Sequence, residues 1–439
     1  MIFRKLPFLS FDMVKFISRG LIRDPSRSLF PVLVCCFGVA FTFVGSCFID
    51  GMMNDFIKTS AYLDTGHIKI VSRAYGDEIS IRPMDLSMET DDTFIAGLEK
   101  RLPGYRFTRR VTFGGLIDIP DETGMTMSQA PFAAFGMDLL GLNNPECAFT
   151  ANEMKMKSSL RSGRFIEKQG EILLSVALAE SLGIKPGVQA TLFGSTMDGA
   201  TASKNFNVVG TISFGISQMD RSTVIMDISD ADNYLAMEGY TAEILAFRVK
   251  GHVRGAIAED RNSFNAEAAE NKDPYAPVAL ALEDQNNLRE TLDITEISGQ
   301  IIAGVFIFLM TLVLWNAGLI NGLRRYSEIG MRLAIGEKRT HIIATMLSEA
   351  LLTGLAGTLF GILMALPFAL YLEKYGVDYS SEMKNISMMI NSVMKAKVTL
   401  HSGLLAAVPG IFSSLAGMFV ATLGIYGRST AALFKDLET

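Results

Sequence analysis

Four stretches without a single charged side chain constrain this chain more than anything else in it. Residues 29–49, 297–323, 350–372 and 402–427 are uncharged, and each reaches the roughly 20 residues that a helix needs to cross a hydrocarbon core of about 30 Å. Nothing comparable occurs between residues 51 and 296. That central stretch carries 35 Asp and Glu against 23 Lys and Arg, so it holds the acidic excess behind the net charge of −6. An acidic, charged insert between apolar runs reads as a water-exposed domain and excludes a nucleic-acid binder. The expected fold class is therefore an integral membrane α-helical protein of four transmembrane helices, with a large mixed α/β extracytoplasmic domain inserted between helices 1 and 2.

Basic residues set the orientation, because they are retained on the cytoplasmic side in short loops. Arg4, Lys5, Lys15, Arg19, Arg23 and Arg27 precede the first run, and Arg324, Arg325, Arg332, Lys338 and Arg339 lie between the second and third. Both segments, and with them both termini, are expected inside. The organisation that follows is a cytoplasmic amphipathic helix (1–28), span 1 (29–50), a periplasmic α/β domain with stalk segments (51–296) and span 2 (297–323). After these come a cytoplasmic coupling segment (324–340), span 3 (341–372), a periplasmic loop (373–400), span 4 (401–427) and a cytoplasmic tail (428–439). The first run is too long for a signal-peptide core and lacks an A-x-A-like site, so it reads as a retained anchor. Three of the four cysteines, Cys35, Cys36 and Cys47, fall inside it and leave Cys147 without a partner, which reads as apolar filling rather than a disulfide framework.

Helical spacing continues past the hydrocarbon core at Met53, Phe56, Ile57 and Ser60, and again before span 2 at Leu288, Leu292 and Thr295, as expected of a stalk. In the central domain, alternation predicts strands at 67–71 and 112–119, and end signals predict helices at 91–102 and 176–182. Segments 187–193 and 206–212 form a hairpin with an enlarged, turn-rich tip at 194–204, and 262–277 reads as a linker. Gly354, Gly357 and Gly361, and Gly403, Gly410 and Gly417, are either close-approach points between helices or the ordinary glycine of membrane spans. Glu349, near the inner end of span 3, calls for a partner such as Arg332 or Arg339.

Chemistry is sparse. No G-x-x-x-x-G-K-[ST] phosphate loop occurs, no G-x-S-x-G elbow is present, and His67, His252, His341 and His401 have no neighbours at metal-ligand spacing. A non-catalytic chain with no metal and no cofactor of its own is expected. The inner loop is the exception. On a helix, Ile329, Leu333 and Ile335 with Ala334 make an apolar ridge, and Arg325, Glu328 and Arg332 stand three and four apart on a polar face. Such a helix suits either docking into another protein or lying on the membrane surface.

At this loop the chain resembles the FtsX, MacB and LolC/LolE superfamily of ABC permeases, whose R-x-x-E-I-G-x-x-x-A-x-G segment couples to the ATPase. Arg325, Glu328, Ile329, Gly330, Ala334 and Gly336 match it. The central domain looks most like the lipoprotein-releasing LolC/LolE branch, at residues 65–70, 170–174, 179–183 and 206–212 with Gly215 and Asp220. The resemblance implies a permease of the bacterial inner membrane that extracts lipoproteins or other lipidated cargo from the outer leaflet. ATP and magnesium would be bound by a partner ATPase in two copies, and a second permease subunit, identical or homologous, would complete the complex. It implies coupling through Arg325, Glu328, Ile329, Gly330, Arg332, Ala334 and Gly336. Phe41, Phe43, Val44, Phe48, Val305, Phe306, Phe308 and Met310 are expected either to line a cargo cleft or to pack. Gly194, Met197, Asp198 and Asn205 mark the hairpin at which a periplasmic carrier would dock, although this tip is shorter than the family's hook and lacks its proline. The alternative within the resemblance is mechanotransmission of the MacB or FtsX kind, which drives a periplasmic partner or efflux and moves nothing through the bilayer.

Overall fold

The computed structural model describes residues 25–121, 123–140, 156–214, 217–268, 271–285, 288–323, 326–379 and 393–427. The amphipathic helix expected before Pro25, the tail after Gly427, Cys147 and Arg325 lie outside them. The described chain divides into two units. One, the helical unit, holds residues up to Asn54, Thr295–Val377 and the chain from Met394; the other, the sheet unit, holds Asp55–Ile294 with the described part of Asp378–Val393.

The sheet unit is built on ten strands among the described residues: β1 Ile68–Ser72, β2 Tyr105–Pro120, β3 Thr126–Met137, β4 Leu160–Gly163, β5 Glu171–Ser175, β6 Gln189–Ser195, β7 Thr201–Ile212, β8 Thr223–Asp227, β9 Glu243–Arg248 and β10 Pro277–Ala281. Their order is β10-β1-β9-β2-β3-β8-β5-β7-β4, and β6 pairs with both β2 and β7. That double pairing closes β2-β3-β8-β5-β7-β6 into a ring of six strands, which leaves no open edge within it. The sequence shows why the ring fills. Ile117 and Ile119, Ile172 and Leu174, Ala190 and Leu192, Phe206 and Val208, and Val224 and Met226 are each two residues apart and share one buried cluster, as side chains on one face of a strand must. Strands β9, β1 and β10 extend the sheet beyond β2 over a second cluster around Ile68, Phe107, Ile244 and Ala279.

Both predicted helices are present. Helix Asp92–Arg101 starts where the Asp91 carboxylate accepts from the Phe94 N–H, and helix Val176–Leu182 ends at Gly183 with φ +68°. The expected linker at 262–277 needs correction. A helix, Arg254–Ala268, runs through its first half, because Ala and Glu favour helix and Ile257 and Phe264, seven residues apart, are both buried.

The helical unit contains α1 Pro25–Ser60, whose last residues belong to the sheet unit, α2 Leu288–Leu323, which begins there, α3 Tyr326–Ala334, α4 Arg339–Tyr375 and α5 Leu400–Gly427. Three helices among the described residues are long and apolar enough to cross a membrane, namely Leu29–Thr65, Arg339–Tyr375 and Leu400–Val420. The expected second span lies in the 36-residue α2 and is not one of those three.

Cys35, Val39, Phe43 and Cys47 follow one another at four-residue spacing on α1 and share a buried cluster with Ala365 and Ala369 of α4 and Ala406 of α5. Small residues permit this approach. A Cβ on Gly357 would lie 2.5 Å from Cys35 Cβ, one on Gly361 would lie 2.6 Å from Cys36 O, and one on Gly354 would lie 2.7 Å from Gly410 O. These glycines are close-approach points. Gly403, whose nearest neighbour would be 4.0 Å away, is not.

Candidate functional site

Helix α3 is the short amphipathic element between α2 and α4. Its inner face is fixed by packing: Ile329 is buried and Leu333 half-buried against Ile342, Met346 and Ala350 of α4 and Met418 of α5. Gly330, the small residue of the motif, is buried beside them. The opposite face is open. Met331 keeps 57% of its surface exposed and Ile335, four residues on, keeps 81%. Ala334 and Gly336 are exposed as well.

The helix stops at Gly336, whose φ of +96° a side chain would resist, and whose N–H donates to Leu333 O at 3.0 Å. The chain then turns so that Glu337 accepts from Arg332 Nε and Nη2, both at 2.7 Å, and meets His341 Nδ1 at 2.7 Å. The Arg332 hydrogen bonds hold the Glu337 carboxyl below its ordinary range. A two-pronged pair of this kind is partly exposed and contributes on the order of 1 kcal/mol, but it fixes the angle between α3 and α4.

Arg332, expected as a coupling residue, has its guanidinium engaged by Glu337. The Glu328 side chain and all of Arg325 lie outside the described residues. Sequence reasoning missed Glu337 and His341, although their spacing to Arg332 and to each other on the turn into α4 was visible.

The residues expected to line a cleft separate by exposure. Phe41 on α1 is 64% exposed, Val305 on α2 54% and Phe308 64%. Val44 and Phe48 are half-buried. Phe43 is 2% exposed and belongs to the packed cluster, so it lines nothing; it falls on the α1 face that carries Cys35, Val39 and Cys47. The side chains of Phe306 and Met310 lie outside the described residues. Along α2, Ile301, Val305, Phe308 and Leu312 all remain exposed at alternating four- and three-residue spacing, as do Ile302, Leu309 and Val313 beside them.

The β6–β7 hairpin also departs from expectation. Its strands extend to Ser195 and Thr201, which leaves a tip of five residues, closed by the Thr196 N–H to Ala200 O hydrogen bond of 2.8 Å. The tip is tied down. Met197 N–H donates to Leu235 O at 2.8 Å, and the Met197 side chain packs on the ring core. A Cβ on Gly194 would lie 2.8 Å from Tyr234 Oη. Only Asp198 and Asn205 of the four expected contact residues are exposed, and Asn205 accepts from Thr191 Oγ1 at 2.8 Å. Gly194 and Met197 are half-buried, with Met197 also packed on the ring core.

Residues 300–430 match the FtsX-like permease C-terminal family. The macrolide export ATP-binding/permease protein MacB 1/2 of Paracoccus denitrificans (strain Pd 1222) is 30% identical over 131 residues, which are 28% of this chain and 19% of that protein. The chain thus corresponds to about a fifth of the length of that relative. The crystal structure of the periplasmic region of MacB from Actinobacillus actinomycetemcomitans covers 53% of this chain and 97% of its own, at 12% identity and a TM-score of 0.33, a likeness too loose to bear on the fold. The sequence matches support the FtsX/MacB/LolC superfamily and do not single out the LolC/LolE branch.

Proposed function

We propose that this chain is the membrane-spanning permease subunit of an ABC transporter in a bacterial inner membrane, with α2 as its fourth span and the sheet unit outside. Its ATPase is a separate chain that receives α3. The observation that carries this reading is the exposed Met331 on α3, with the exposed Ile335 just past its end, on an element whose other face is anchored to α4 and α5. Such a helix is stiff, apolar at its tip and mounted on two apolar helices, as a coupling element has to be. The FtsX-like match over 300–430 supports it, since that range includes α3.

Two cargo modes are compatible with a superfamily permease. One is extraction of lipoproteins or other lipidated cargo from the outer leaflet, with acyl chains held against Phe41, Val305 and Phe308. The other is mechanotransmission, in which the sheet unit drives a periplasmic partner. The pinned β6–β7 tip favours the second, because a hairpin tied to Leu235 and to its own core has no free hook to offer a carrier. The sequence similarity to an export permease of the MacB kind is compatible with either mode. The exposed seam on α2 supports a second permease subunit in either mode.

The experiment is capture of an ABC ATPase chain that carries no permease of its own, co-expressed with this protein. The native protein in detergent should retain it, and Ile335→Asp should reduce capture at least tenfold while the hydrogen exchange of the β5 and β8 amides stays unchanged. Full capture by Ile335→Asp and by Met331→Asp would remove α3 from the interface.

A further inference from the structure

Helix α1 does not simply end and release the chain. At Ser60 it widens into a π-helical turn, Ala61–Thr65, and stops at Gly66 with φ +64°. π-Turns are rare and recur at functional positions. Helix ends leave carbonyls without partners, and here a buried guanidinium takes them. Arg110, 1% exposed in the middle of β2, donates from Nη1 to Leu63 O at 2.6 Å and to Tyr62 O at 3.1 Å. The Asp64 carboxylate on the same turn accepts from Arg82 Nη2 at 2.8 Å and faces Lys69 Nζ on β1 at 3.5 Å. Lys69 Nζ also lies 3.0 Å from Glu243 Oε1 on β9, and Tyr75 Oη donates to the same oxygen at 2.9 Å. Glu243 stands directly opposite Arg110 across the β9–β2 pairing. The Tyr62 ring stacks on Phe247 with centroids 4.9 Å apart.

We infer that Asp64, Lys69, Arg82, Arg110 and Glu243 form a rigid joint that locks the outgoing end of α1 onto the sheet, so that a turn or slide of the helix moves the sheet with it. The joint itself is a feature of the sheet unit; its use to carry motion rests on the permease reading above.

Three physical points support it. Burying four charges, with Arg82 half-buried beside them, is a costly way to hold an element in place, and apolar side chains of similar volume often do as well or better. What charged groups add is direction: hydrogen bonds to two successive carbonyls fix rotation about the helix axis, which apolar contact leaves loose. Arg82, moreover, holds φ +52°, a conformation that non-glycine residues adopt rarely, and there its guanidinium reaches Asp64. Asp64 and Arg110 both keep their charges at neutral pH. Burial alone would raise Asp64, but Lys69, Arg82 and Arg110 outweigh it and hold the carboxyl below its ordinary range. Burial pulls Arg110 down to about 10, with Glu243 and Asp64 opposing it. Arg110 is thus a positioning residue, acting through the carbonyls of the π-turn.

The test is hydrogen exchange on the full chain in detergent, alone and with its ATPase. In Arg110→Met the amides of residues 61–67 should exchange at least tenfold faster, while those of Ile172–Leu174 and Val224–Met226 keep native rates. Arg110→Lys keeps a charge and a donating nitrogen but is shorter than the guanidinium that reaches both carbonyls from Nη1, and should fall between. Should Arg110→Met not fold, Asp64→Asn, which removes the charge that faces Arg82 and Lys69, should give the same pattern at smaller amplitude. Native rates at 61–67 in these variants, or equal acceleration in β5 and β8, would overturn the joint. A nucleotide-dependent change in exchange at the β2–β3 tip, present in the native complex and absent in Arg110→Met, is what transmission requires. A response that survives in Arg110→Met overturns transmission through this joint. Loss of ATPase capture by the native chain would instead sink the permease reading, and the pattern at 61–67 would still decide whether the joint exists.

Discussion

The two units treat their large apolar side chains in opposite ways. In the sheet unit Phe206 and Ile117 are fully buried inside the six-stranded ring, whereas in the helical unit Phe37, Phe41 and Phe308 keep 62–64% of their surface open. Both units nonetheless have tight interiors: a Cβ added to Gly136 would lie 2.6 Å from Ala231 Cβ in one, and one added to Gly357 2.5 Å from Cys35 Cβ in the other, both closer than atoms can pack. The difference lies in what drives packing. Water pushes the ring's apolar residues inward, but lipid is as apolar as leucine and sorts helix faces by shape instead. The ring's interior is closed, although Ile81 and Met125 elsewhere in the sheet unit keep 71% of their surface open, while the helical unit leaves large apolar side chains exposed along its helices.

The largest effect that can test this contrast lies inside the ring. Phe206→Ala removes a fully buried aromatic side chain that touches the Tyr234 ring, and should destabilise the sheet unit by about 3–5 kcal/mol. The measurement is the slowest-exchanging amides of β5 and β8 in the intact chain. A loss under about 1 kcal/mol would mean that the ring is loosely packed, and would erase the distinction drawn above.

A slightly smaller effect concerns acid. His67 Nδ1 accepts the Arg248 N–H at 2.9 Å, which requires a neutral ring. Burial lowers its pKa from 6.5 to about 4, and His252, with ring centroids 5.7 Å apart, and Arg248 push the same way. The Tyr62 and Phe247 rings complete its surroundings. Because the folded pKa is depressed, the unfolded chain takes up its proton first as pH falls. The stabilisation is whole above about 6.5 and is lost progressively down to about 4, reaching on the order of 3 kcal/mol. Unfolding midpoints between pH 7.5 and 4 should fall for the native chain and flatten for His67→Gln. An equal acid slope in both would assign the loss to other groups.

The sequence made the sheet unit's plan legible where one rule governed. Alternation found β1 and much of β2, Asp91 and Gly183 marked helix ends, and uncharged length found the apolar helices. It failed where long-range pairing decides. The turn-rich residues 194–204 look like an enlarged loop, yet β6 and β7 zip almost to their ends because β2 pairs with β6 and Leu235 ties Met197 down. The Ala- and Glu-rich 262–277 was read as linker by composition, although Ile257 and Phe264 already carried helical spacing. In the docking loop, the periodicity of Ile329 and Leu333 correctly marked a packed ridge, but Ile335, assigned to the same ridge, lies past the last turn and is exposed. The joint around Arg110 was invisible, because Asp64, Lys69, Arg82, Arg110 and Glu243 come together only once β1, β9 and β2 are aligned.

The smallest effect on stability is the most informative about function. Phe308 makes the α2 seam with Ile301, Val305 and Leu312, and it is 64% exposed, so Phe308→Ala should change the exchange of the helical unit's slowest amides by less than about 0.5 kcal/mol. Its consequence should appear between molecules. Contact across a seam in lipid depends on shape, so truncation should loosen a helix partner, whereas an acyl chain gains little from the cleft relative to the bilayer it leaves. A photocrosslinking residue at Phe308 and another at Phe41, in intact membranes, separates the cases. Lipoprotein adducts that vanish on adding ATP would support extraction. Adducts at both positions to a second permease alone, weakened in that partner's own seam variant, would establish the mechanotransmitting reading and identify α2 as the face where two subunits meet. Adducts to lipid alone at both positions would show the seam to be an ordinary bilayer-facing surface, and would leave the contrast between the two units as one of solvent rather than of partners.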